Sequence, residues 1–127
     1  MIFLIVEDSR PTRNLIKSYV KEITKNRYDD FIEAENGESA LQILRTHRVD
    51  FVFLDLNLDS EMTGMTVLKE LRKSEQFKQL PVVIVSCESD KTNVIEALKY
   101  GTNGFIAKPI DKKLFTEKVL KIIKSTS

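Results

Sequence analysis

The chain has 127 residues, the length of one ordinary domain, and is 42% hydrophobic and 31% charged, a balance close to that of soluble globular proteins. Its net charge of +1 gives no argument for attraction to nucleic acid or to a membrane surface, and no apolar run approaches the ~20 residues that span a bilayer. The lone cysteine, Cys87, excludes an internal disulfide, and with a single histidine, His47, no zinc-ligand spacing exists.

The first element is the apolar run Ile2 to Val6. It lacks the basic leader and small-residue cleavage site of a signal peptide and runs straight into Glu7 and Asp8, so it reads as a strand of a protein kept in a reducing cytoplasm. Leu15, Ile16, Tyr19, Val20 and Ile23 follow at helical spacing. Asp30 to Ala34 reads as a second strand, ending in Glu35 and Asn36, and Ala40, Leu41 and Leu44 as the stripe of a second helix. The third strand, Phe51 to Leu54, is wholly apolar and ends on Asp55; Val67, Leu68 and Leu71 mark the third helix. Pro81 to Ser86 is the fourth strand, with Val94, Ile95 and Leu98 behind it. Gly104 to Ala107, followed by Lys108 and Pro109, is the fifth, and Phe115, Val119 and Ile122 or Ile123 complete the pattern. Gly37 and Gly64 stand before the second and third helices and Gly101 after the fourth, where turns and caps are needed. No Pro- or Ser-rich linker interrupts this order. Residues 1–127 therefore read as one α/β domain, a single doubly wound (βα)5 unit with a five-stranded parallel sheet and helices on both faces.

In an open parallel sheet, ligands bind beyond the carboxyl ends of the strands. Those ends carry Glu7 and Asp8, Asp55, Ser86, and Lys108. Each has an ordinary explanation alone: the acidic pair can favour the start of a helix, Asp55 can cap a loop, Ser86 can sit in a turn and Lys108 can be a surface lysine. Together they place three acids, a hydroxyl and an amine at strand ends that the fold brings side by side. An ionised carboxylate closing a buried strand needs a counter-charge. Three oxygen-rich acids suit Mg²⁺, while Lys108 and Ser86 suit an anion beside Asp55. That is a phosphoryl site with Asp55 as nucleophile and an aspartyl phosphate as product.

With these residues in place, the sequence resembles a two-component response regulator receiver domain, from "FLIVEDS" through "VDFVFLDLN" and "VVIVSCES" to "GFIAKPI", over essentially the whole chain. The resemblance implies the strand order 2-1-3-4-5 and a role for each residue. Asp55 matches the phosphoacceptor; Glu7, Asp8, Asp55 and the backbone carbonyl of Asn57 match the Mg²⁺ ligands; Lys108 matches the lysine that pairs with the phosphoryl group, and Lys108-Pro109 a cis peptide. Ser86 and Phe105 match the hydroxyl and aromatic whose joint movement signals phosphorylation. The implied activity is that of a switch which takes a phosphoryl group from a sensor histidine kinase or phosphotransfer protein, catalysing only its own phosphotransfer and dephosphorylation. Asn57 and Glu88 match positions that tune water access to the acyl phosphate, which implies fairly fast self-dephosphorylation. The output surface is then the fourth helix, fifth strand and fifth helix. It includes Val94, Ala97, Tyr100, Phe105 and the basic face around Lys112, Lys113 and Lys118, where an output protein, an appended effector domain or a second copy in a homodimer docks, with no membrane and no direct nucleic-acid contact.

The sequence also departs from the family. "DLNLDSEMTG" has no proline after the acceptor and puts Gly64 nine positions beyond it, so the loop is one residue longer than usual. Cys87 holds a place more often given to Ala or Gly and is expected as a small buried hydrophobe rather than a redox sensor. Other functions fit less well. A haloacid-dehalogenase-like phosphatase needs a second Asp where Asn57 stands, a flavodoxin-like redox module needs a phosphate loop where "EDSRPT" offers two acids, and an interaction module that is never phosphorylated needs no intact site.

Overall fold

The computed structural model describes residues 1–87 and 89–126. Its elements are β1 (Ile2–Val6), α1 (Arg10–Thr24), β2 (Asp30–Ala34), α2 (Gly37–Thr46), β3 (Phe51–Leu54), α3 (Gly64–Lys73), β4 (Val82–Cys87), α4 (Lys91–Leu98), β5 (Gly104–Lys108) and α5 (Lys112–Thr126). The strands form one parallel sheet in the order β2-β1-β3-β4-β5. β4 starts and ends one residue later than its apolar run suggests. Pro81 has no N–H to give to the ladder, and its carbonyl instead accepts from Val52. β5 runs on to Lys108 because that residue still pairs with Cys87.

Side chains alternate across the sheet and build a core on each face. Leu4, Val6, Val52, Leu54, Val82 and Ile84 meet α2, α3 and α4, while Phe3, Ile5, Phe51, Phe53, Val83 and Val85 meet α1 and α5. On the α1 and α5 face the aromatics form a continuous cluster, with Phe3, Phe51, Phe53 and Phe115 in ring contact. Local signals start the helices. Ser9, Asn36 and Thr63 accept from the N–H groups of Thr12, Ser39 and Thr66 and so cap α1, α2 and α3.

The fourth helix departs from the expected stripe. Val94 and Ala97 are buried against the sheet, whereas Ile95 and Leu98 are 58% and 50% exposed. After α4 the chain turns through Gly101 with φ +82°, a left-handed conformation that glycine adopts without strain.

The register positions the site. Val6 pairs with Leu54, so Glu7 and Asp55 are the next residues on neighbouring strands, and the ladder continues with Glu7 N donating to Ala34 O and Asp55 N to Val6 O, each at 3.0 Å.

Candidate functional site

Asp55 is buried at the end of β3, and both of its carboxylate oxygens have partners. Lys108 Nζ donates to Oδ2 at 2.9 Å and the Asn57 backbone N–H to Oδ1 at 2.9 Å. Glu7 is also buried. Its Oε2 accepts from Ser9 N at 3.2 Å, while Oε1 is ion-paired with Lys108. Asp8 is exposed, and its Oδ2 accepts from Asp59 N at 3.3 Å. One oxygen from each of these three acids lies within 4.8 Å of the others. The sheet edge thus brings together Glu7, Asp8, Asp55 and Lys108, the residues expected from sequence.

Crowding divides the protons unequally. Burial pushes Glu7 up to about 7, helped by its hydrogen bond with Asp8 and the charge of Asp55 and opposed by Lys108. That same hydrogen bond holds Asp8 below the usual carboxylate range. Burial by itself would lower Lys108, but its bonds to Glu7 and Asp55 outweigh this and raise it, so the ammonium persists. Of the acidic pair, Glu7 gives up its proton after Asp8. A divalent cation fits such a donor set: its atoms are hard oxygens from three acids within 4.8 Å of one another, and once Glu7 releases its proton a single ammonium, Lys108, faces all three carboxylates.

Lys108-Pro109 is cis. Gly64 closes the loop after Asp55: its N–H donates to Leu56 O at 3.2 Å, and a Cβ there would lie 2.0 Å from the Asp55 carbonyl oxygen. The loop therefore turns back beneath the acceptor, and Ser60 Oγ braces it by donating to Met62 O at 2.7 Å.

Ser86 is fully buried, and its hydroxyl turns to Asp90, donating to Oδ2 at 3.4 Å. Phe105 is half-buried and packs against the α2 to α4 core, while Lys118 Nζ donates to its carbonyl at 2.8 Å. Of the expected output surface, Val94 and Ala97 belong to the core, and Lys112 is ion-paired to Glu22 at 2.8 Å. Ile95, Leu98 and Leu114 are the large apolar side chains that α4 and α5 expose, with Tyr100 beside them under Lys69. Cys87 is exposed rather than buried, because β4 runs past the edge of the core before it ends. Glu88 lies outside the described residues, so its expected place near the acceptor is not tested.

Two residues went unnoticed in the sequence. Arg13 is buried, donating from Nη1 to Glu7 O and from Nε to Glu33 Oε1, both at 2.8 Å, with Glu35 at 3.5 Å from Nη2. It anchors the backbone of the acidic pair to β2. Its signal was present, since Arg13 stands three and seven residues before the buried Ile16 and Val20, on the apolar stripe. Asp90, four residues after Ser86, reads only as a helix cap.

Comparison with known proteins agrees with this geometry. A sequence model described as the response regulator receiver domain matches residues 3–120. The chain is 34% identical over 122 residues to the chemotaxis protein CheY of Pseudomonas aeruginosa, covering 96% of this chain and 95% of that one. The receiver domain of the Francisella response regulator 1452 superposes with a TM-score of 0.80 at 28% identity, over 99% of this chain and 98% of that one. The Mn²⁺-bound form of response regulator Rcp1 gives a TM-score of 0.79 at 26% identity, over 95% of this chain and 90% of that one.

Proposed function

This chain belongs to the response regulator receiver domain family, and from that premise we propose that it takes one phosphoryl group onto Asp55 from a sensor histidine kinase or phosphotransfer protein, with Mg²⁺ held by Glu7, Asp8, Asp55 and the Asn57 carbonyl. The family is one of phosphoacceptor signalling switches that work with kinases and output effectors, rather than of enzymes turning over a separate substrate. We read residues 1–127 as one such domain acting in the cytoplasm; among the described residues no helix is long and apolar enough to cross a membrane.

The observation that carries the reading is a buried Asp55 held by Lys108 at 2.9 Å beside two further acids. In the transfer, an Asp55 oxygen forms a bond to phosphorus as the bond from phosphorus to the donor's imidazole nitrogen breaks. Lys108 then pairs with a phosphoryl oxygen, and a divalent ion held by Glu7, Asp8, Asp55 and the Asn57 carbonyl would supply charge neutralisation at the phosphoryl group. That Rcp1 is known in an Mn²⁺-bound form is in keeping with a divalent ion at the acidic edge of this chain. Arg13, by holding the Glu7 carbonyl, keeps the acidic pair in place.

Output follows from added charge. A phosphoryl group draws the Ser86 hydroxyl towards it through a charge-assisted hydrogen bond, and Phe105 repacks behind it. The surface of α4, β5 and α5 changes with them, presenting Ile95, Leu98 and Leu114 to an output protein, an appended effector domain or a second copy. Intact-mass measurement with a small phosphodonor and Mg²⁺ tests the core of this reading. One added phosphoryl group is expected on the wild type and none on Asp55→Asn; equal modification of Asp55→Asn, or of wild type in excess chelator, overturns it.

A further inference from the structure

We propose that Asp90 is a positioning residue that holds the Ser86 hydroxyl in reserve and carries its movement into α4, an inference that rests on Asp55 being the acceptor. Asp90 occupies the N-cap position of α4, and aspartate is among the best residues for that place. Yet its side chain makes no bond to the helix backbone, unlike Ser9, Asn36 and Thr63 at their helices. Its two oxygens go elsewhere. Oδ2 accepts from the buried Ser86 hydroxyl at 3.4 Å and Oδ1 from Asn93 Nδ2, in the first turn of α4, at 2.6 Å. One carboxylate therefore joins the end of β4 to the start of α4.

A serine hydroxyl has a single hydrogen to donate. It can serve Asp90 or a phosphoryl oxygen on Asp55, but not both. The contact to Asp90 is long beside the ~2.8 Å usual for such bonds, so a short charge-assisted bond to a phosphoryl group displaces it. When the hydroxyl leaves, the carboxylate loses the partner that tied α4 to the sheet edge, and the helix carrying the exposed Ile95 and Leu98 is freed to shift.

The test is a double-mutant cycle with beryllofluoride and Mg²⁺ as the probe, titrated into wild type, Ser86→Ala, Asp90→Ala and the double variant. With Asp90 present, part of the bond from Ser86 to the probe only replaces the bond to Asp90. Ser86→Ala should therefore weaken beryllofluoride binding more in the Asp90→Ala background than in the wild type, by about 3- to 10-fold. A merely structural role in supporting α4 would act equally in both backgrounds and leave no such difference. Amide shifts at Ile95 and Leu98 should follow beryllofluoride in the wild type and stop following it in Asp90→Ala, while shifts around Asp55 persist. Where Asp90→Ala unfolds, Asp90→Asn takes its place with the same sign. Beryllofluoride that binds the wild type with strictly additive effects of Ser86 and Asp90 overturns this inference alone. Absence of binding to the wild type overturns the assignment of Asp55 and this inference with it.

Discussion

The β1–α1 and β4–α4 junctions are the same local unit, a buried strand that ends in polar residues and turns into a helix, yet they are held in opposite ways. At the first, Ser9 caps α1, Glu7 accepts from the Ser9 N–H, and Arg13 locks the Glu7 carbonyl to Glu33 on β2. These bonds tie the strand end, the helix cap and β2 together, and α1 extends over 15 residues. At the second, the cap residue is turned away from the helix backbone, α4 has 8 residues, and two of its large apolar side chains face outward. A charged site needs its donors preset, because geometry lost there costs binding directly, whereas a switch needs an element whose two positions differ little in energy. On the proposed reading, the junction whose donors are preset holds the acids, and the one whose cap is turned from its helix is the element that phosphorylation shifts.

The contrast breaks first at Arg13. Arg13→Ala removes a buried guanidinium and leaves the Glu7 carbonyl and Glu33 without it, so urea unfolding should show a loss of about 2–4 kcal/mol. Asp90→Ala should lose no more than ~1 kcal/mol, because its carboxylate already makes no bond to the helix backbone. Equal losses would mean that the two junctions are equally rigid.

A pH series sharpens the same comparison. Glu7 binds its proton more tightly in the folded state than in the unfolded chain, about 7 against 4.5. The stability it contributes is therefore fully present below pH 4.5 and is lost as pH rises through 7, by at most roughly 3 kcal/mol. Asp8, held below its ordinary 3.8, acts in the opposite sense and costs stability only as pH falls below that value. Unfolding in the absence of divalent ions should show this decline towards pH 7.5, Glu7→Gln should flatten it, and Mg²⁺ should offset it. A wild-type profile that stays level from pH 5 to 7.5 without metal would refute the unequal sharing of protons.

The smallest effect belongs to the outer face of α4. Ile95→Ser and Leu98→Ser remove side chains that are 58% and 50% exposed, so the unfolding free energy should change by no more than about 0.5 kcal/mol. Capture of an output partner by the phosphorylated domain should nonetheless fall in pull-down assays. A large loss of stability would show that this face belongs to the core.

Much of this was legible because interior parallel strands leave a plain trace. Strands covered on both faces are apolar throughout, so Phe51 to Leu54 could be recognised and the acid ending the run stood out. Asp55, Glu7, Asp8 and Lys108 were found as interruptions of this kind. The fourth helix was ambiguous. Val94 and Ala97, like Ile95 and Leu98, stand three residues apart, so two adjacent faces of α4 carry apolar stripes. The expected stripe of Val94, Ile95 and Leu98 took its first member from the buried face and the other two from the exposed one, since packing against the sheet favoured the small Ala97.

Residue order and alternation by themselves determined the five β-α units, the single layered sheet and the charged groups at its carboxyl edge, because these depend on local periodicity and on where apolar runs stop. The partner each polar atom finds was decided by the tertiary structure alone. Arg13 reaches Glu7 and Glu33, Ser86 turns to Asp90, and the proton stays with Glu7 rather than Asp8. These outcomes depend on burial and on distances of a few ångströms between segments far apart in the chain, and pairwise electrostatics at that range follows from three-dimensional placement rather than from spacing along a sequence.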